Sequence, residues 1–137
     1  MPITDDETIV QLLETSDTIA VVGCSSTPGK AAHDIPKYLL EASYDVIPVN
    51  PFAENIFDRD AYDSLSDVPD KIDVVDVFRP SEEVPEIVEA ALDRDDDAAI
   101  WLQEGITHDE SAEQAEKAGR QFVQDRCMKV EHQRLLG

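Results

Sequence analysis

The chain alternates between two hydrophobic periods. Ile9, Val10, Leu12 and Leu13 recur at helical spacing behind Thr4-Asp5-Asp6-Glu7, which has the form of a capping box, and predict a first helix ending near Thr15. The period then changes. Ile19-Ala20-Val21-Val22 is a short continuous apolar run closed by Gly23, as expected of a strand buried on both faces of a parallel sheet. Similar runs stand at Val46-Ile47-Pro48-Val49, Val74-Val75-Asp76-Val77-Phe78, Ala98-Ala99-Ile100-Trp101-Leu102 and, more weakly, Phe122-Val123. Helical patterns fall between most of them: Asp34 to Glu41, Pro85 to Leu92 behind a Ser81 cap, and Asp109 to Ala118 ahead of a left-handed cap at Gly119. Asn50 to Asp73 has no helical period; its Pro51, Pro69 and several Asp predict a loop with short turns.

Strand and helix in repeated alternation predict an α/β fold: a single-domain, Rossmann-like, doubly wound parallel sheet of five strands with helices on both faces. The expected strand order is 3-2-1-4-5, within one domain spanning residues 1–137. A length of 137 residues is that of one ordinary domain, so no second catalytic domain beside a cofactor-binding one is expected.

Charge narrows the partners. Asp and Glu number 31 against 11 Lys and Arg, a formal charge of -20, which repels nucleic-acid phosphates and anionic membrane surfaces. No nucleic acid and no membrane are therefore expected as partners. An acid excess spread along the whole chain, with only 5 Lys, reads as halophilic adaptation to a salt-rich cytoplasm, where salt screens the self-repulsion. The start Met1-Pro2-Ile3-Thr4-Asp5-Asp6 lacks the basic opening of a signal peptide, and a cytoplasmic location is expected. Cys24 and Cys127 lack metal-ligand spacing to each other or to His33, His108 and His132, so no metal site and no internal disulfide are expected.

In open α/β sheets ligands bind beyond the carboxyl ends of the strands, so the chemistry should lie just after each run. After the first comes Gly23-Cys24-Ser25-Ser26-Thr27-Pro28-Gly29-Lys30, a small-residue loop leading into a helix, whose free N–H groups and dipole favour a phosphate. It is neither the dinucleotide fingerprint, which needs glycines where Ser25 and Pro28 stand, nor a Walker loop, since five residues separate Gly23 from Gly29 and Ala31 follows Lys30. A tight turn with no ligand accounts for the same glycines. The second run ends in Asn50-Pro51, where a nicotinamide site would place an acid; Asn can bond a ribose or phosphate and Pro51 offers a flat apolar surface. The third is followed by Phe78-Arg79, and Lys30 and Arg79 on the ligand edge argue for an anion. Arg126 and Lys129 read as surface cations, Trp101 as core, and Gln103 after the fourth strand as within reach of ligand. His108 and His132 read as exposed loop or tail residues. No nucleophile with an adjacent base appears, and no catalytic residue is assigned.

Taken together, Ile19 to Ser25, Pro28-Gly29-Lys30, Tyr44 to Pro51, Asp73 to Arg79, Trp101 to Gly105 and Asp125-Arg126-Cys127 resemble the small stand-alone CoA-binding proteins. These are similar in fold to the N-terminal CoA-binding domain of the succinyl-CoA synthetase α subunit. The resemblance implies coenzyme A or an acyl-CoA as cofactor, with Gly23, Ser25 and Ser26 cradling the pyrophosphate and Lys30 nearby. Asn50 and Pro51 would border the nucleotide, and Phe78 and Arg79 the adenosine phosphate end. The synthetase's phosphorylated histidine lies in a domain absent here, so a non-enzymatic binding module is expected, as a homodimer or in the service of a partner enzyme. The alternatives are an NAD(P)- or flavin-nucleotide-binding redox or regulatory module, and an interaction subunit with an empty nucleotide fold.

Overall fold

The computed structural model describes residues 2–137. Helix α1 (Asp6–Thr15) opens the chain, and its cap is Asp5, whose carboxylate accepts from the Thr8 N–H at 2.9 Å, one residue later than the Thr4 box predicts. Strand β1 (Thr18–Val22), helix α2 (Ala31–Glu41) and strand β2 (Asp45–Val49) follow. The connection read as a loop carries a small hairpin of β3 (Asn55–Ile56) and β4 (Arg59–Asp60). Its two turn residues, Phe57 and Asp58, both sit at φ 58, the left-handed pair of a type I′ turn. Strand β5 (Val74–Val77), helix α3 (Val84–Leu92), strand β6 (Ala99–Leu102), helix α4 (Asp109–Lys117), strand β7 (Phe122–Val123) and helix α5 (Met128–Leu135) complete the order.

The sheet is parallel, five-stranded and doubly wound as expected, but its order is β2-β1-β5-β6-β7. In the numbering of the five sequence runs this is 2-1-3-4-5, and it corrects the 3-2-1-4-5 expectation. The reason lies in two strands. Pro48 has no N–H, so β2 cannot donate to neighbours on both sides and takes the edge. Beyond it only Tyr62 bridges, donating its N–H to the Pro48 carbonyl at 3.0 Å. All four residues of β5 are buried, the pattern of a strand flanked on both sides, and β5 pairs with β1 and β6.

The pleat divides the core. Ala20, Ile47, Val75, Val77, Ile100 and Leu102 face α3 and α4, while Ile19, Val21, Val46, Val74, Trp101 and Val123 face α1, α2 and α5. Trp101 is core as expected, fully buried with its indole N–H on the Arg126 carbonyl at 2.7 Å. Helix α5 falls where the sequence suggested a tail. His132 is half-buried on it, bonded through Nδ1 to the Tyr38 hydroxyl at 2.7 Å, and His108 caps α4 by accepting from the Ser111 N–H at 3.2 Å.

Most arginines are held by the protein's own carboxylates: Arg59 by Asp45 and Asp70, Arg94 by Asp96, Arg126 by Glu131, and Arg134 by Asp6 and Glu131. Many of the remaining acids are exposed. If the acid excess is salt adaptation, the melting temperature should rise by several degrees between 0.1 and about 2 M potassium chloride, where the screening length falls from about 10 Å to under 3 Å. Thermal unfolding followed by circular dichroism checks this; a flat profile refutes it.

Candidate functional site

β1, β2 and β5 end side by side, and the segments leaving them enclose a cleft of about 350 Å³. Gly23, Asn50, Pro51 and Arg79, all singled out in the sequence, line it together. Gly23 adopts φ +88, and a Cβ there would stand 2.8 Å from Arg79 Cδ and 3.3 Å from the Phe78 carbonyl oxygen. The Arg79 stem therefore lies directly across the end of β1. Its guanidinium grips Glu83 at both ends, Nε donating to Oε1 at 3.1 Å and Nη2 to Oε2 at 2.7 Å. This pairing holds the Glu83 carboxyl below its usual range and the Arg79 guanidinium above its own.

Asn50 fastens the loops together. Its Nδ2 donates to the Cys24 carbonyl at 2.8 Å and its Oδ1 accepts from the Phe52 N–H at 2.8 Å, fixing the β2 exit against the β1 exit. Beside the cleft, the loop from Ser25 to Lys30 folds on itself. The Ser25 N–H donates to Ala32 O at 2.9 Å, Ser25 Oγ accepts from the Thr27 N–H at 3.0 Å, and Gly29 donates to Asp34 Oδ1 at 3.1 Å. Ser26 and Lys30 are exposed on that loop, and α2 begins after Lys30 with no side-chain cap.

Five predicted residues are outside the cleft lining: Ser25, Ser26 and Lys30 on the loop beside it, and Phe78 and Gln103 farther off. Phe78 is half-buried and packs on the opposite face, against the core of α1, α2 and α5. Gln103 is 4% exposed and both ends of its amide are engaged inside the protein, Nε2 on Asp76 Oδ1 at 2.7 Å and Oε1 on the Met128 N–H at 3.3 Å. It links β6, β5 and the start of α5, and its amide is turned inward rather than toward the cleft. Of the other cations, Arg126 pairs with Glu131 and Lys129 lies over the Tyr38 ring.

The sequence reading missed the opposite wall. Glu83, Glu86, Ile87 and Ala90 present one side of α3 to the cleft, and Asp63, Ser64 and Leu65 close it from the long connection. The spacing 83, 86, 87, 90 is one helix face and was the available signal. Phe52, beside Pro51, is 96% exposed at the rim.

Cys24 is not an activated thiol. Burial first, and the Asp76 charge second, push the Cys24 thiol up to about 12, the reverse of what a nucleophile at a helix start needs. Both cysteines are free, and β5 and β6 separate the strands they follow. Asp76 itself is wholly buried; its Oδ2 has no partner, and burial raises its carboxyl to about 7 against the lowering effect of Gln103. Among the described residues no cluster of metal-ligating side chains occurs, and no helix is long and apolar enough to cross a membrane.

Comparison with known proteins identifies the family. A family model described as a CoA binding domain matches residues 17–133. The uncharacterized protein YneT of Bacillus subtilis is 36% identical over 124 residues, covering 90% of this chain and 91% of that one. A hypothetical protein from Pyrococcus horikoshii OT3 superimposes with TM-score 0.93 at 42% identity, over 100% of this chain and 97% of that one. An ADP-forming acetate–CoA ligase of Archaeoglobus fulgidus is 29% identical over 94 residues, but these are 67% of this chain and only 14% of the ligase. With the model spanning nearly the whole sequence, the chain belongs to the CoA binding domain family.

Proposed function

We propose that this protein binds coenzyme A, or an acyl-CoA, in the cleft at the carboxyl edge of β1, β2 and β5, as a binding module without catalysis of its own. The observation that carries the reading is the meeting of Gly23, Asn50-Pro51 and Arg79 around one cleft, with Arg79 the one cation in its lining among the described residues. Arg79 engages a phosphate of the adenosine end, and Pro51 with Ile87, Ala90 and Leu65 supplies apolar surface for the base. Ser25, Ser26 and Lys30 receive the pyrophosphate from the exposed loop, where the uncapped start of α2 adds N–H donors and a positive dipole end. Phe78 acts from behind, holding the β5 exit in place while Arg79 faces the ligand. The task this binding serves is delivery or sensing of CoA for a partner enzyme, in keeping with relatives in which the domain is a small part of a CoA ligase.

Calorimetric titration in molar potassium chloride tests the reading, with CoA, 3′-dephospho-CoA and NAD side by side. Saturable binding that prefers CoA is expected; no binding, or a preference for NAD, refutes it. Arg79→Ala is expected to weaken CoA by about 1.5–3 kcal/mol, the scale of a hydrogen bond to a charged group. An unchanged affinity would remove Arg79 from the site.

A further inference from the structure

We propose that Glu83 is a competing anion built into the cleft, which occupies Arg79 until a phosphate displaces it and so limits the affinity of the site. The inference rests on the CoA-binding reading and concerns how that site is controlled. Three observations carry it. First, one edge of the guanidinium, Nε and Nη2, is taken at 3.1 and 2.7 Å by a carboxylate four residues on, so the ligand meets an ion pair rather than a free cation. Second, Glu86 and Asp63 line the same cleft, so its single described cation is outnumbered by three carboxylates. Third, the neighbouring loop repeats the arrangement, with the Gly29 N–H given to Asp34 Oδ1 at 3.1 Å. In the free protein two of the anion donors, the Arg79 guanidinium and the Gly29 N–H, are therefore held by its own acids.

An incoming phosphate that takes the Nε–Nη2 edge must break the Arg79–Glu83 pair, and one that takes any other N–H of the guanidinium still sits beside that carboxylate. Both penalties are Coulombic, and both Arg79 and Glu83 are about half exposed, so salt weakens them strongly. A phosphate site normally loses affinity as salt rises; this one should lose far less, or gain. A carboxylate near 5 Å from a phosphate dianion in a water-like dielectric opposes it by roughly tenfold in affinity at low salt, and by little in molar salt.

The test is CoA titration of the full chain and of Glu83→Gln, at about 0.05 M and about 2 M potassium chloride, with sucrose in every sample to hold the fold without screening charge. Glu83→Gln should bind CoA about tenfold more tightly than the parent at low salt, and within about twofold of it at high salt. Weaker binding by Glu83→Gln would make Glu83 a residue that positions Arg79, and would overturn the proposal. So would a ratio that does not change with salt. Absence of CoA binding by both proteins at both salts would instead overturn the CoA reading on which the proposal rests. Circular dichroism on each sample confirms that the compared proteins are folded.

Discussion

Asp76→Asn is expected to remove most of a pH dependence that the parent protein carries in its centre. Asp76 is fully buried in β5, between Val21 and Trp101 in register, with Oδ1 on Gln103 and Oδ2 without a partner. Burial raises its carboxyl from the ordinary 3.8 to about 7 in the folded protein. Below the unfolded value both states are protonated and the group is neutral to stability. As pH rises toward the folded value, the unfolded chain ionises first and the folded state falls behind by about 1.4 kcal/mol per pKa unit. The stability present in acid is thus lost between about pH 4 and pH 7, by a few kcal/mol in all. Asn cannot ionise, and its NH₂ stands where the orphan O–H of the protonated acid stood, so the two proteins should differ by only about 1 kcal/mol near pH 4.5. The variant should be the more stable by pH 8. Urea unfolding in molar salt at both pH values measures the gap, and the effects of the other carboxylates cancel in the difference. A gap that stays constant between the two pH values would show that Asp76 ionises alike in both states.

The same residue shows why parts of the molecule were legible and others were not. Apolar runs and small-residue exits marked β1, β2, β5, β6 and β7, because strands buried on both faces must be apolar at successive positions. Strand order was legible only in part: Pro48, with no N–H to give, marks β2 as an edge strand, but the run Val74 to Val77 does not itself say that β5 lies beside β1. Helix α5 was not legible. Its Met-Lys-Val-Glu-His-Gln-Arg-Leu sequence buries only Met128 and Glu131, and distant partners hold it: Tyr38 on His132, and Asp6 on Arg134. Of the site, the loop residues Gly23, Asn50, Pro51 and Arg79 were readable from strand ends. The α3 wall lies several residues beyond the end of β5, outside the strand exits that mark the other residues. Gln103 misled for a reason of parity: it continues the Trp101 side of β6, the face that meets Asp76 and α5.

Gly23→Ala should abolish most CoA binding, whereas Gly29→Ala should chiefly lower stability, and the contrast separates backbone strain from lack of space. Both glycines sit in left-handed backbone, at φ +88 and φ +95, where a side chain adds about 1–2 kcal/mol of strain. A Cβ on Gly29 meets nothing within 4 Å, so strain is its whole effect. A Cβ on Gly23 enters to 2.8 Å of Arg79 Cδ and 3.3 Å of Cγ, while the Phe78 carbonyl at 3.3 Å leaves no retreat toward β5. The arginine stem must swing away, and its guanidinium leaves the cleft together with the close backbone approach that a phosphate requires. The two variants should therefore melt within a few degrees of each other and differ in CoA affinity by about a hundredfold, which is about 2.7 kcal/mol. Removing the arginine decides the cause: in an Arg79→Ala background, Gly23→Ala should add little further loss, because the side chain it displaces is gone. Full additivity of the two substitutions would place the glycine's role in the phosphate approach alone and leave Arg79 to act independently of it.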